Sequence, residues 1–491
     1  MSQERYGDDA GDGPAITLRV HQNKYLPAAA GPAEMHAVVS VETRGLGPAA
    51  ARTAASEVIV IDCSGSMGWP PTKIAAARRA TATAVGILRD GTHFAIIEGT
   101  EQAQVVYPFA GGMAVAGPDT RAAAARVAAR LPAIGGTAIG AWLDLARRLH
   151  LSRPAAIRHT LLLTDGRNEH DAAGYLDKVL DGCAPHFTCD ARGIGDGWDA
   201  TELKEITRRL HGRADAVLDD AALTAEFEAM TRASMAKALS GVRIRVRTRA
   251  GGRIAFVKQV HPTRSDLTAE GTRPDDRTWE CRTGAWGDES REFHLCVLAD
   301  PGSDPMDEDV ELAAVDLTLD GDTDGDTDLP PPPARSVLVQ WTDDLLLSSR
   351  VDPRLAHYGA DSDLGLAITA GCDAYEAGDR EEARRQWGQA VRLAHGLGSA
   401  KMLARLGGLV HITDAATGEV RIREPIRPLD LNSAMIVTEE SVRFTGPRLT
   451  EAPAASPTGP DQVCPSCRRT APATAAYCQK CDTPLRPEGV S

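Results

Sequence analysis

Aromatic residues are scarce in this chain: Phe, Trp and Tyr together make up 4% of its 491 residues, and its net charge is −14. An acidic chain with few stacking side chains lacks the surface that nucleic-acid binding requires. Its apolar runs also fall well short of the ~20 residues that a membrane-spanning helix needs. Residues 1–15 contain four acidic residues and no apolar core, which argues against a signal peptide. We therefore expect a cytoplasmic protein without a membrane span, and we do not expect nucleic acid as its partner.

Cysteine is also sparse, with 10 residues in the whole chain, which is too few for a disulfide scaffold. Four of them form two Cys-x-x-Cys pairs near the C-terminus, and this pairing predicts a metal site in a reducing compartment. Arginine outnumbers lysine by 46 to 8, a bias typical of a GC-rich bacterial genome. We therefore expect a bacterial protein whose fold does not depend on disulfide bonds.

The hydrophobic pattern divides the chain into parts of different structure. Alternating apolar residues predict β-strands on either side of a segment in which short apolar runs alternate with helical stretches. The expected fold class is multidomain α/β, with a doubly wound, Rossmann-like domain inserted in or beside an antiparallel β-sandwich, a helical hairpin segment and a C-terminal zinc ribbon. The predicted parts are a β-hairpin completing the sandwich at 16–50, the doubly wound domain at 55–240, the sandwich at 241–347, a helical segment with a single tetratricopeptide-like hairpin at 354–412, short strands at 413–446, a linker at 447–462 and the zinc ribbon at 463–485.

Oxygen-bearing side chains stand in three separate loops of the doubly wound domain. An apolar strand delivers Asp62 at its carboxyl end, and Ser64 and Ser66 follow in a glycine-containing loop. Thr137 comes just before a helix, and Asp165 ends another apolar strand. Each fragment alone is an ordinary cap or turn, but neighbouring parallel strands bring their carboxyl ends to one edge of the sheet, where the loops can converge. Carboxylate and hydroxyl oxygens suit magnesium or manganese rather than zinc, so the set predicts such a site.

These five residues match the metal-ion-dependent adhesion site of the von Willebrand factor A domain family, whose pattern is Asp-x-Ser-x-Ser, then Thr, then Asp. The sequence closely resembles that family over about 180 residues. Gly193 and Gly195 are similar to the family's usual ending of a late strand, so we interpret them as structural and expect no dinucleotide site there. The order of hairpin, inserted domain, sandwich and helical segment is similar to that of bacterial proteins related to the inter-alpha-trypsin inhibitor heavy chains.

The resemblance implies a non-enzymatic scaffold for protein–protein interaction. In the family, an Asp or Glu carboxylate from a partner protein binds the ion at its open position. One alternative is a subunit that serves an ATP-driven chelatase or remodelling complex through the same site. A weaker alternative is a magnesium-dependent phosphohydrolase, because haloacid dehalogenase-type enzymes need a second acid where this chain has Ser64.

The C-terminal cysteines predict a second metal site of a different kind. Four thiolates in two Cys-x-x-Cys pairs provide the closed tetrahedral sphere of structural zinc, and the spacing resembles a short zinc ribbon. Zinc would supply most of the folding energy of so small a unit. We interpret the ribbon as a tethered protein-interaction module, with nucleic-acid binding as the alternative. The four predicted ligands are Cys464, Cys467, Cys478 and Cys481.

Overall fold

The computed structural model of the protein describes residues 13–28, 31, 33–302, 304–319, 329–446, 462–463, 468 and 470–471. The chain forms two compact units, Met1–Phe444 and Thr445–Ser491. Across the described residues, no helix has both the length and the apolar character needed to cross a bilayer.

The first unit begins with strands that belong to two different sheets. These elements are β1 (Ala15–Gln22), β2 (Tyr25–Pro27), β3 (Ala33–Arg44) and helix α1 (Gly47–Arg52). Strand β1 pairs antiparallel with β3, whereas β2, in the connection between them, pairs with a strand from much later in the chain. The predicted hairpin region at 16–50 therefore contributes to both sheets and ends in a short helix.

An α/β domain follows, in which strands and helices alternate. Its strands are β4 (Ala55–Asp62), β5 (His93–Gly99), β6 (Ala103–Tyr107), β7 (Ala114–Val115), β8 (Ile157–Thr164), β9 (Thr188–Ile194) and β10 (Ala214–Val217). Its helices are α2 (Thr72–Gly86), α3 (Pro118–Ala128), α4 (Ile139–Leu151), α5 (Tyr175–Cys183), α6 (Ala200–Arg209) and α7 (Leu223–Met235), with a 3₁₀ turn at Gly65–Gly68.

The sheet of this domain has the order β10-β9-β8-β4-β5-β6, with β7 also pairing with β5. Strands β10, β9, β8, β4 and β5 run parallel, and β6 and β7 add an antiparallel edge. Every residue of β4 is buried because helices cover both faces of the sheet. The chain continues from β4 to β5 on one side and returns to β8 on the other, so a crevice opens at the carboxyl ends of β4 and β8.

The chain then returns to the two outer sheets. The strands are β11 (Val242–Thr248), β12 (Arg253–His261), β13 (Ser265–Asp266), β14 (Thr272–Asp275), β15 (Thr278–Arg282), β16 (Ser290–Ala299), β17 (Val310–Leu319) and β18 (Arg335–Thr342). One sheet has the order β1-β3-β16-β12-β13 and the other β14-β15-β11-β17-β18-β2. All neighbours are antiparallel except β18 and β2. Side chains from both sheets share one apolar core, so the α/β domain is inserted between two parts of a single structural unit.

Helices dominate the remainder of the first unit. The elements are α8 (Leu345–Ser348), α9 (Pro353–Glu376), α10 (Arg380–Gly396), α11 (Ala400–Leu409), β19 (Val410–Asp414), β20 (Glu419–Ile422) and α12 (Pro428–Val437). Trp387 of α10 is fully buried, and Gly371 of α9 lies against its ring, because a Cβ there would come within 2.4 Å of it. The absence of a side chain at Gly371 thus allows α9 and α10 to approach closely.

The prediction of short strands at 413–446 is wrong for its second half, where the structure has helix α12. Pro428 stands at the start of this helix, where its missing N–H costs nothing. The helix buries residues on more than one side, so its sequence lacks the polar stripe that marks an amphipathic helix. Leu429 and Ile436 join the core of the α/β domain, and α12 therefore belongs to its packing.

The second unit contains a short antiparallel pair, β21 (Gln462–Val463) with β22 (Thr470–Ala471). The predicted zinc ligands Cys464, Cys467, Cys478 and Cys481 lie outside the described residues, as does nearly all of the predicted linker. The zinc ribbon therefore stays a prediction.

Candidate functional site

The carboxyl end of β4 carries Asp62 into the crevice beside β8. The residue is fully buried, and both of its carboxylate oxygens accept hydrogen bonds. Oδ1 accepts from the backbone N–H of Ser64 at 2.8 Å, and Oδ2 accepts from the Thr164 hydroxyl at 2.7 Å. The backbone N–H of Asp165 also donates to Oδ2, at 3.3 Å. These contacts fix the carboxylate between the ends of the two strands.

The hydroxyls of Ser64 and Ser66 lie together beside Asp165. Their Oγ atoms are 3.0 Å apart. Ser66 donates a hydrogen bond to Asp165 Oδ1 at 2.6 Å, and the Ser64 hydroxyl lies 3.4 Å from the same oxygen. The structure thus brings four of the five predicted ligand residues into one cluster.

Thr137 borders this cluster through Gly166. A Cβ on Gly166 would lie 3.0 Å from Thr137 Oγ1, so the hydroxyl stands against the loop that carries Asp165. Nδ1 of His170 accepts a hydrogen bond from the backbone N–H of Thr137 at 3.1 Å, and the backbone N–H of His170 donates to the Thr137 carbonyl at 2.9 Å. Thr137 is 6% exposed, so the third loop closes over the first two.

The cluster buries more negative than positive charge. Lys73 of α2 forms an ion pair with Asp165 Oδ2, and the side chains are only 10% and 1% exposed. Among the described residues, Lys73 is the one cation in contact with either carboxylate of the cluster. Burial raises the pKa of Asp62 above its usual value, and the charge of Asp165 adds to the rise, while hydrogen bonds from Ser64 and Thr164 oppose it.

Such a set of donors fits a hard divalent cation. Two buried carboxylates against one ammonium leave an excess negative charge, which is costly away from water unless a further cation compensates it. The nearby hydroxyl oxygens are ligands of the kind that magnesium and manganese prefer. If an ion binds, Asp62, Ser64, Ser66, Thr137 and Asp165 are the residues that would hold it, directly or through water.

Sequence reasoning missed two residues of the cluster, Lys73 and Thr164. Thr164 is the last residue of β8 and immediately precedes Asp165, so its hydroxyl could have been noticed as an oxygen at a strand end. Lys73 stands in the first turn of α2, and its role depends on how that helix packs. No spacing in the sequence indicates that Lys73 lies in this cluster.

Two further acids hold the loops of the site in place. Glu101 accepts a hydrogen bond from the backbone N–H of Gly136 at 2.7 Å, next to Thr137. Glu202 of α6 accepts one from the backbone N–H of Asn168 at 3.1 Å, in the loop that follows Asp165. Burial raises the pKa of Glu202 to about 7.

Large apolar side chains are exposed on the loops that carry the site. Trp69, three residues after Ser66, is 79% exposed, and Ile134, three residues before Thr137, is 74% exposed. The two loops touch, because the backbone N–H of Gly65 donates to the carbonyl of Gly135 at 2.9 Å. Exposed aromatic and aliphatic groups of this size are typical of protein-binding surfaces.

A parallel α/β sheet with this crevice, and with Asp-x-Ser-x-Ser after its central strand, defines the class of von Willebrand factor type A folds. The family described as von Willebrand factor type A domain matches residues 57–216. A von Willebrand factor type A protein from Catenulispora acidiphila is 36% identical in sequence, with 89% of this chain and 100% of that chain covered and a TM-score of 0.80. The chain therefore belongs to the von Willebrand factor type A family.

A more distant structure shows the fold alone. The ArnB paralog VWA2 from Sulfolobus acidocaldarius is 12% identical, covers 87% of this chain and 98% of its own, and has a TM-score of 0.52. No curated protein matches the sequence. Domains of this family commonly mediate protein–protein interaction.

Proposed function

We propose that this protein is a non-enzymatic scaffold that holds a magnesium or manganese ion at the crevice of its α/β domain and captures an acidic side chain of a partner protein. The observation that carries the proposal is the buried cluster of Asp62, Ser64, Ser66 and Asp165, with Thr137 beside it. Its excess of negative charge favours a divalent cation over a dry, empty crevice.

The ion would be left with room for a visiting ligand. Magnesium prefers six oxygens in octahedral geometry and keeps water in positions that the protein does not fill. Here the two acids and three hydroxyl residues are partly engaged with one another and with Lys73. A carboxylate replacing a water on the ion would bring the negative charge that the cation attracts.

The surroundings of the crevice support a protein as the source of the carboxylate that binds the ion. Trp69 and Ile134 expose large apolar surfaces on the two loops that border the cluster. In protein interfaces a central polar contact is commonly surrounded by aromatic and aliphatic anchors that exclude water. A small acid could bind the ion alone, whereas these side chains need a partner with an apolar surface around its carboxylate.

The test combines metal binding with partner capture by the full chain. Calorimetric titration with Mn²⁺ should show one binding event that Asp62→Ala abolishes and that Asp276→Ala, an exposed acid in the turn between β14 and β15, leaves unchanged. A pull-down read by mass spectrometry should recover a partner in Mg²⁺ but not in chelator, and not with Asp62→Ala. Recovery of the same partner in chelator would overturn the proposal.

The same pull-down separates the alternative role. If the protein recovered only in the presence of Mg²⁺ is an ATPase, the chain serves an ATP-driven chelatase or remodelling complex. If it is not, the free-standing adaptor is supported. The proposal places the protein in the cytoplasm, where the four cysteines at 464–481 would stay reduced and bind zinc as a second interaction module.

A further inference from the structure

The five-stranded sheet carries a second group of metal-binding side chain types. Glu34 and His36 stand at alternate positions of β3, and His294 and Cys296 at alternate positions of β16. The strands are antiparallel neighbours, and the register pairs His36 directly with Cys296. Because alternate residues of a strand share a face, all four side chains lie on the same face of the sheet.

This face is the one turned away from the apolar core. Leu295 and Val297, the neighbours of Cys296 in β16, point into the core that the two sheets share, and Cys296 is not part of it. Cys296 is nevertheless fully buried. Phe256 of β12 pairs with Cys296 in the register and lies edge-on to the His294 ring, with ring centroids 4.9 Å apart. The thiol is thus buried beside the polar cluster, with Phe256 as its register neighbour in β12.

The ligand atoms are already gathered. One atom each from Glu34, His36 and Cys296 lie within 4.8 Å of one another. Oε2 of Glu34 is 3.2 Å from Nε2 of His36, and Nδ1 of His36 is 3.1 Å from Nε2 of His294. Two ligands of one tetrahedral zinc ion stand about 3.3 Å apart, given bonds of about 2.0 Å. The Glu34–His36 separation therefore suits two ligands of one ion as well as it suits a hydrogen bond.

We propose that Glu34, His36 and Cys296 bind a divalent transition metal ion of the zinc class. His294 acts as a positioning residue: in the tautomer that the site requires, its Nε2 accepts a hydrogen bond from the N–H at His36 Nδ1, which leaves His36 Nε2 free to ligate. Metal-bound histidines generally donate their second nitrogen in this way. The site is independent of the crevice in the α/β domain and does not rest on the function proposed above.

The donor set decides the class of metal. A thiolate and an imidazole are softer ligands than the carboxylates and hydroxyls around Asp62, and with one carboxylate they favour zinc over magnesium. Three protein ligands leave one tetrahedral position open. Glu34 is exposed and His36 is 36% exposed at its side chain, so water or a group of another molecule has access to that position.

The experiment uses Co²⁺ as the probe, because cobalt takes tetrahedral zinc sites and a thiolate ligand gives it a strong near-ultraviolet charge-transfer band. The full chain carries the substitutions Cys464→Ser, Cys467→Ser, Cys478→Ser and Cys481→Ser, which remove the cysteines of the predicted ribbon. Co²⁺ titration of this chain should give a thiolate–cobalt band whose intensity saturates at one thiolate-bound ion per chain, whether or not the crevice at Asp62 binds a further ion. His36→Gln should weaken the affinity by at least about tenfold, since even the loss of a ligand's hydrogen-bond partner has an effect of that size.

Matched variants distinguish this site from the other thiols and metal ligands. Cys296→Ser should remove the band. Cys281→Ser, at another buried cysteine that lies in the other sheet, should keep it, and so should Asp62→Ala. His294→Gln should weaken Co²⁺ binding but keep the band. Circular dichroism of each metal-free variant checks that it folds. If Cys296→Ser unfolds, His36→Gln replaces it as the test of the site, because His36 is partly exposed and its substitution disturbs the fold less. Absence of the band from the starting chain, or a band insensitive to His36→Gln, would overturn the proposal.

Discussion

The ammonium of Lys73 is paired with the carboxylate of Asp165 in the interior of the α/β domain. Lys73 comes from the helix that follows the Asp-x-Ser-x-Ser loop, so the chain supplies one cation of its own to the cluster of candidate metal ligands. Bound metal and ammonium repel each other when both approach the same carboxylate. In the proposed metal site, the ion pair would therefore weaken the attraction of the crevice for a metal ion.

Replacing Lys73 by Met should tighten metal binding. The substitution removes one positive charge from a buried site and leaves the side-chain volume similar, so Mn²⁺ affinity should rise by at least about tenfold. Calorimetric titration of the two chains measures the change, and Lys178→Met, on helix α5, serves as the control. Weaker binding by Lys73→Met would mean that Lys73 supports the bound state instead of competing with the ion.

Trp69 should contribute to partner binding without contributing to metal binding. Trp69→Ala removes an exposed aromatic anchor next to the crevice, and we expect a loss of about 2 kcal/mol, or roughly 30-fold in Kd, for the captured partner. Mn²⁺ affinity should stay unchanged because the indole is not a ligand. Leu366→Ala, at a leucine that is 67% exposed on α9, should affect neither. Equal partner affinity of the Trp69→Ala chain would exclude this loop from the interface.

Gly193 of β9 should tolerate no side chain. A Cβ there would lie 2.2 Å from the ring of Trp198, which is fully buried and cannot move aside. Gly193→Ala should therefore lower the free energy of unfolding by at least about 2 kcal/mol. Gly86→Ala, at the last residue of α2 with nothing within 4 Å of the added Cβ, should be neutral or stabilise by up to about 1 kcal/mol. Urea unfolding of both variants gives the comparison.

Glu202 should make the protein less stable as the pH rises toward neutrality. Burial raises its pKa from 4.5 to about 7 in the folded protein, so the folded state binds a proton that the unfolded state releases. The stability that proton binding by Glu202 adds to the folded state is fully present below about pH 4.5 and is lost as the pH rises through about 7. Glu202→Gln keeps the hydrogen bond from Asn168 without the charge, so its stability relative to the natural chain should increase over that range. A difference that is constant with pH would contradict the assignment.

His159 should be essential for the stability of the α/β domain. Burial lowers its pKa, but the carboxylates of Glu57 and Asp190, at 2.7 and 3.3 Å, outweigh burial and raise the value to about 10. His159→Gln leaves the fully buried Glu57 without a cation, and we expect a loss of about 3 kcal/mol in the free energy of unfolding. Arg232→Ala breaks an exposed i,i+4 pair with Glu228 and should change it by less than about 0.5 kcal/mol. Similar losses of unfolding free energy in the two variants would contradict the larger contribution expected of the buried ion pair.

The sequence predicts those parts of the fold whose signal is local. Val58, Ile59, Val60 and Ile61 form a continuous apolar run because both faces of β4 are covered, and Asp62 stands out at its end. Strand β12 gives a weaker signal, since its ladder with β16 contains two register shifts that interrupt the alternation. Helix α12 escaped prediction because its burial on more than one side depends on tertiary packing.

The residues of the candidate site likewise divide into those that the sequence predicts and those that depend on tertiary packing. Its carboxylates and hydroxyls follow strand ends in a recognisable order, so they could be assigned from spacing. The contact between Lys73 and Asp165 joins residues that are 92 positions apart and depends on the angle at which α2 crosses the sheet. The cluster of Glu34 and Cys296 depends equally on the register between two strands that are separated by the whole α/β domain.

The inserted position of the α/β domain determines how a mechanical load passes through the chain. The hydroxyl of Thr53, just before the domain, lies 3.4 Å from the carbonyl of Ala238, just after it, so the chain enters and leaves at almost the same point. Tension applied across the two sheets would be borne first by ladders such as β3 with β16 and β11 with β17, and the α/β domain would lie outside the line of force. A partner that pulls on the crevice, in contrast, would load the contact between Thr53 and Ala238 directly.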